Sequence, residues 1–328
     1  MMQTVDIHTH LLSPEVRFER LFDRVAMRLF GKGLGIDPAL LARDPYGAYT
    51  SALIDSVRGS RQVRRVCLFG VDARVDGRGR ELHRDPTVCA ATEDVLALHR
   101  DHGDCIIPFL SVNPLRPDAL DRLDEYIGRG CRGAKFLQNY WGVDLNDERF
   151  IPYYERLREA AIPLIIHIGS EYSIESFTAQ ERVEMLDLPL ATGVTCVAAH
   201  MGLGRVGHRL RPWRNLSRDP RWFDRDYYRL LELLESHDNL YADISAILAP
   251  LRARPAPPQR PAPGSPQAAV RDRLSGALHS ALQPLRPGPG AAPRGGGPGQ
   301  SVRPLNRRDP RLLSLTAMES EAKAVSPR

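Results

Sequence analysis

Seven short apolar segments recur along this chain, and between them lie longer stretches with helical spacing. The apolar segments are residues 3–8, 65–70, 105–112, 133–137, 163–168, 194–200 and 239–245. Apolar runs without polar alternation are strands buried on both faces, which is the mark of a parallel sheet. The intervening stretches, 14–30, 47–61, 86–102, 117–128, 150–161, 178–192 and 223–237, suit helices, with apolar residues three and four apart. Residues 31–45 are punctuated by Gly and Pro and read as a loop or lid. Strands alternating with helices make βα units. Seven such units favour an α/β (β/α)8 TIM-type barrel over a doubly wound sheet, with the eighth strand missing from the pattern.

Polar residues fall where such a barrel would use them. Val5-Asp6-Ile7-His8-Thr9-His10 closes the first segment. A strand has a side-chain period of two, so His8 and His10 share a face with Asp6 below them. Two imidazoles from one strand can hold a divalent ion, since zinc and iron favour neutral imidazole nitrogen. A polar end to an edge strand explains the pair equally well in isolation. Asn113, His167 and His200 also come at strand C-termini, the rim at which barrel enzymes build their sites. One such His is ordinarily structural, but three strands each ending in His argue for a site.

The ordered set Asp6-Ile7-His8-Thr9-His10, Gly133-Ala134-Lys135-Phe136, Pro163-Leu164-Ile165-Ile166-His167, Ala199-His200-Met201-Gly202 and Asn239-Leu240-Tyr241-Ala242-Asp243 resembles the amidohydrolase superfamily. Within it, the resemblance is to the branch that includes aminocarboxymuconate-semialdehyde decarboxylase. It covers roughly residues 3–250. It implies that His8, His10 and His167 bind one divalent metal ion, with zinc expected, and that His200 is the catalytic proton-transfer residue. The implied reaction is metal-dependent hydrolysis of a small acid or ring-containing substrate, or non-oxidative decarboxylation on the same scaffold. The resemblance also implies a metal-binding Asp at the end of an eighth strand, usually after Gly-Ser or Gly-Thr. No such segment occurs after residue 251, and neither Asp272 nor Asp309 has a strand-like context. Asp243 fits the seventh strand's own pattern and is not assigned as the missing ligand; it lines the pocket or packs beside it. Lys135, the run Gln138 to Trp141, Glu171 and Tyr172 are candidates for lining the pocket. Arg205, Arg209 and Arg211 could hold a substrate carboxylate, though a solvated charge run explains them as well.

Composition divides the chain at residue 251. Residues 252–328 hold twelve Arg and one Lys against two Asp and two Glu, with no Phe, Tyr, Trp, Ile or Cys and about half of the 27 prolines. Residues 1–251 keep 32 basic and 36 acidic side chains, so the net charge of +5 belongs to the tail. So low-complexity a segment cannot offset its chain entropy by burial, and disorder is expected. An unspecific basic tail on a binding protein, or on an inactive truncated barrel, is the reading from another class. Nucleic acid is not the expected partner, because the tail has no aromatic residue for base stacking.

The five cysteines are scattered, as buried thiols in a reducing compartment would be. No apolar run approaches the ~20 residues of a membrane span, and the first strand leaves no room for a secretory signal. A cytoplasmic enzyme with a small-molecule substrate is expected, with homo-oligomerisation left open.

Of three accounts of the tail, a natural extension, barrel closure by an unrecognised route, or a shifted reading frame near codon 252, we favour the third. It accounts together for the abrupt onset, the missing strand and the missing carboxylate. Translating the gene downstream of the Leu251 codon in the other two frames should then give an apolar strand ending in Gly-Ser-Asp or Gly-Thr-Asp, followed by helical sequence. Two frames that both lack it would make the tail a natural one.

Overall fold

The computed structural model describes residues 4–18, 21–171, 174–203 and 225–245. The predicted tail, Tyr172 and the three arginines from Arg205 to Arg211 lie outside the described residues. Among those described, seven parallel strands form in chain order: β1 (Thr4–His10), β2 (Val63–Phe69), then, after a small antiparallel hairpin of β3 (Arg74–Val75) and β4 (Glu81–His83), β5 (Ile106–Pro108), β6 (Ala134–Phe136), β7 (Leu164–Ile166), β8 (Cys196–Ala198) and β9 (Leu240–Ala242). β1, β2 and β5 pair in that order, as do β6, β7, β8 and β9. A parallel bridge between Leu110 and Ala134 joins the two groups, with Leu110 N–H donating to Gly133 O and Lys135 N–H to Leu110 O, each at 2.8 Å. All seven barrel strands therefore follow one another in the predicted order, and no eighth parallel strand occurs among the described residues.

Helices return the chain between strands: α1 (Leu21–Gly33), α2 (Pro38–Arg43) and α3 (Pro45–Gly59) before β2, α4 (Thr92–His102) before β5, α5 (Ala119–Gly128) before β6, α6 (Gln138–Trp141) and α7 (Ile151–Glu159) before β7, α8 (Asp187–Ala191) before β8, and α9 (Arg225–Ser236) before β9. Three departures from the sequence reading have identifiable partners. The loop expected over 31–45 contains α2, started by Asp37, whose carboxylate caps Ala39 N–H at 2.7 Å, with Pro38 in the first turn. The helix expected over 178–192 is three short pieces, Thr178–Glu181, Val183–Leu186 and α8, divided where Arg182 adopts extended backbone. There the guanidinium of Arg182 forks onto Asp226 at 2.7 and 2.8 Å. The β3–β4 hairpin, too short to show a period, was not expected; the buried Tyr140 hydroxyl fastens it, donating to His83 O and accepting from Asp85 N–H at 3.0 Å.

The two faces of the sheet are both apolar. Val5, Cys67, Phe69, Ile107, Phe109, Ile165, Val197 and Ala199 form the cluster inside the barrel. Residues such as Leu68, Ile106, Leu164, Ile166 and Cys196 pack outward beneath the helices. Lys135 is in register with Ile165, Val197 and Tyr241, which places a fully buried lysine inside rather than on the surface. Its ammonium lies 5.4 Å from the Phe69 ring centre, a cation–π distance. The five cysteines are free and buried.

Interior packing should dominate stability. Ile165→Ala is expected to lower the unfolding free energy by about 2–5 kcal/mol. Leu120→Ala, at a position 39% exposed on α5, should cost well under half of that. Urea unfolding of both variants measures the contrast.

Candidate functional site

Strand geometry delivers the first two histidines. β1 runs through His10, so His8 and His10 stand two residues apart on one strand at the C-terminal end. Their Nε2 atoms approach to 3.3 Å. The Phe69 ring lies edge-on to both, 5.2 Å from the His8 ring centre and 4.7 Å from that of His10.

His167 is the first residue after β7 and is buried. Its Nε2 faces Gly169 O at 3.1 Å; a carbonyl only accepts, so this nitrogen carries the proton and the lone pair is on Nδ1. That Nδ1 faces Glu171 Oε2 at 3.7 Å. Gln138 donates through Nε2 to the His167 carbonyl, bracing the backbone from the end of β6.

His200 does not end its strand as the sequence suggested. It sits in the turn Ala199–Gly202 after β8, in left-handed backbone with φ 61°, and Met201 follows with φ 54°. Such conformations cost of order 1–3 kcal/mol each and persist only where the surroundings enforce them. Here the enforcement comes from β9. The His200 N–H donates to Asp243 Oδ1 at 2.9 Å, and Met201 N–H donates to the Asp243 carbonyl at 3.1 Å. The His200 ring is 4.9 Å, centre to centre, from both His8 and His167. The four predicted histidines therefore form one continuous group.

Asp243 is a participant the sequence left undecided. Its Oδ2 is 2.7 Å from His8 Nδ1, and its Oδ1 accepts from the backbone of His200 and Ser245. The Ser245 hydroxyl also bonds to that carboxylate and lies 2.8 Å from His200 Nδ1 and 3.2 Å from His8 Nδ1. Donor atoms of His8, His200 and Asp243 all fall within 4.8 Å of one another, a spacing that could hold a metal ion. This trio shares only His8 with the His8, His10 and His167 set suggested by the family resemblance. The pattern Asp243-x-Ser245 has the same period of two as His8-x-His10 and was the available signal.

Other candidates are occupied structurally. Asn113 is fully buried, its amide N–H bonded to Asp72, its side-chain amide to Ala73 O and its side-chain oxygen to Leu115 N–H. Trp141 donates to Asp72 O at 2.8 Å, and Asn139 to Ser176 Oγ at 3.0 Å. Asp72 itself takes a two-pronged ion pair from Arg116 at 2.6 and 2.7 Å. These contacts tie the loops after β2, β5 and β6 together.

The electrostatics suit cation binding. Burial, then repulsion from His8, Lys135 and His167, holds His10 well below the ordinary imidazole range, so it is neutral. Its Nδ1 is buried with no hydrogen-bond partner among the described residues. Burial would raise the Asp243 carboxyl, but His8 and His200, with the bonds from His8 and Ser245, hold it far below the usual carboxylate range. Burial raises the Asp6 carboxyl, against a 2.9 Å bond from His8 N–H. The His8 and His10 nitrogens are spaced as two ligands of one divalent ion would be. Ligands at 2.0–2.1 Å in a tetrahedron stand about 3.3 Å apart, which is the spacing between the His8 and His10 nitrogens.

A depressed His10 value has a definite sign. As pH falls below ~6.5, the unfolded chain takes up a proton that folded His10 refuses, so stability declines toward acid. In chelated protein, His10→Gln should flatten the stability slope between pH 7.5 and 5.5 by up to about 1.4 kcal/mol per pH unit. Urea unfolding at both pH values checks this.

The sequence matches the amidohydrolase family over residues 5–272. No curated protein matches it significantly. Similar solved structures include a TIM-barrel protein of Bordetella bronchiseptica, at 16% identity over 76% of this chain and 78% of that one, with a TM-score of 0.47. A probable 2-pyrone-4,6-dicarboxylic acid hydrolase of Acinetobacter baumannii, solved with citric acid, is 14% identical over 75% and 72%, with a TM-score of 0.43. A 5-carboxyvanillate decarboxylase of Novosphingobium aromaticivorans, solved with manganese and 3-methoxy-4-hydroxy-5-nitrobenzoic acid, is 16% identical over 71% of both chains, with a TM-score of 0.35. The family match takes in every strand from β1 to β9 and all four histidines of the rim, and the chain belongs to the amidohydrolase family.

Proposed function

We propose that the chain is a divalent-metal-dependent hydrolase of a small acid or ring-containing acid, with zinc or a similar ion at His8, His10 and His167 and with His200 as the proton-transfer residue. The observation that carries this reading is the 3.3 Å approach of the His8 and His10 Nε2 atoms beside an unpartnered, buried His10 Nδ1. A divalent ion there would supply Lewis acidity and lower the pKa of water toward ~7.

The chain's own residues do the rest. His10, kept neutral by burial, offers a lone pair at working pH. His167 has its protonated Nε2 committed to Gly169 O, which fixes the ring. Lys135 places a cation among the interior residues beneath the rim, which favours an anionic substrate over a neutral one. His200, held against His8 and His167 by its turn, is placed to deliver or remove a proton on a molecule above the rim. Non-oxidative decarboxylation would use the same residues, with His200 protonating the carbon that loses carbon dioxide.

Chelation should abolish turnover, and zinc, manganese or cobalt should restore it. His8→Ala, His10→Ala and His167→Ala should each lose the ion as measured by metal analysis. His200→Gln should keep the ion and lose roughly 10²–10⁴-fold in rate. A panel of aromatic and aliphatic carboxylic acids, esters and lactones, scored for acid release and for carbon dioxide, distinguishes hydrolysis from decarboxylation. Retention of stoichiometric metal by all three histidine variants would refute the ligand assignment.

A further inference from the structure

We infer that Asp243 is a positioning residue that sets the tautomer of His8, and through it the affinity of the histidine site for a divalent cation. This rests on the metal reading proposed above and adds a residue to it from a strand that reading does not use.

The argument starts from what each atom can do. A carboxylate accepts hydrogen bonds and donates none. Asp243 Oδ2 stands 2.7 Å from His8 Nδ1, a charge-assisted distance, so Nδ1 is the protonated nitrogen. The His8 lone pair then lies on Nε2, the atom that faces His10 Nε2 at 3.3 Å. With the opposite tautomer, His8 would present an N–H where a cation has to sit.

The carboxylate cannot easily turn away. Its Oδ1 is held by the backbone N–H groups of His200 at 2.9 Å and Ser245 at 3.0 Å, and by the Ser245 hydroxyl. A carboxylate satisfied by these four groups acts as a support for the imidazole rather than as a bare ligand. A carboxylate behind a ligating histidine orients the ring and raises its basicity, and removing such a partner typically weakens metal binding ~10–100-fold. The Ser245 hydroxyl, 3.2 Å from His8 Nδ1, lacks the charge to replace it.

Asp243→Asn is nearly isosteric and reverses the polarity. Its oxygen can still accept from His200 and Ser245, while its NH₂ group faces His8 Nδ1 and makes that atom an acceptor. The full chain, labelled with ¹⁵N-histidine and chelated at pH 8, would be compared with Asp243→Asn by long-range ¹H–¹⁵N correlation, with His8 assigned by His8→Gln. Wild type should show His8 protonated on Nδ1, and Asp243→Asn should show it on Nε2. Cobalt titration followed calorimetrically and by visible absorption should give a Kd about 10–100-fold weaker for Asp243→Asn, with an unchanged ligand-field spectrum at saturation. Asp243→Glu should recover the wild-type tautomer and part of the affinity.

A wild-type His8 protonated on Nε2, or an Asp243→Asn variant unchanged in tautomer and affinity, would overturn the inference. So would a cobalt spectrum that changes at saturation, which would make Asp243 itself a ligand. A wild-type chain that binds no cobalt would sink the metal reading, while the tautomer measurement would still decide the role of Asp243.

Discussion

The buried Asp243 carboxylate is the point on which fold and site both turn. It belongs to the residue that follows β9, yet it bonds to His8 on β1 and to the turn carrying His200 after β8. No β1–β9 pairing occurs among the described residues, so at the rim these two strands are linked by side chains instead of a ladder. A buried charge is tolerated only when paired and fully hydrogen-bonded. Asp243 meets that condition by gathering His8, His200 and Ser245 around itself, and the same gathering assembles the histidine group.

The division of labour between rim and interior follows from this. Below the rim, Val5, Phe69, Phe109, Ile165 and Val197 fill the barrel and keep water from the underside of the imidazoles. That low-polarity floor is the main reason His10 stays neutral. Around the rim, Asp72 with Arg116, Asn113 and Trp141 ties the loops after β2, β5 and β6 to one another. A site whose loops are held in this way loses little entropy when substrate arrives.

Much of this was legible in the sequence because its signals are periodic. Apolar runs gave the seven strands, and a spacing of two put His8 and His10 on one face. Where the structure departs, the deciding interactions join residues distant in sequence. The helix expected over 178–192 gives way at Arg182 because its guanidinium answers Asp226, 44 residues later. His200 reads as the end of a strand, but its left-handed turn is enforced by Asp243. Asp243 itself could not be weighed from its neighbours, since its meaning lies in His8, 235 positions away. Lys135 reads from the sequence as a pocket-lining candidate, and its register with Ile165 and Val197 is what puts it inside the barrel.

A seam closed by side chains also couples stability to chemistry. In a barrel whose strands pair all round, a rim residue can change with little effect on the backbone beneath it. Here the residues that join β1 to the β8 and β9 rim are His8, His200, Asp243 and Ser245, the same residues that shape the site. The left-handed backbone of His200 and Met201 is held by the bonds to Asp243. A cation shared by histidines of β1 and of the loop after β7 would bind only the assembled rim, so it would stabilise the fold by mass action. The histidine and Asp243 cluster is thus also a structural clasp, acting across the part of the barrel where main-chain pairing is lacking among the described residues.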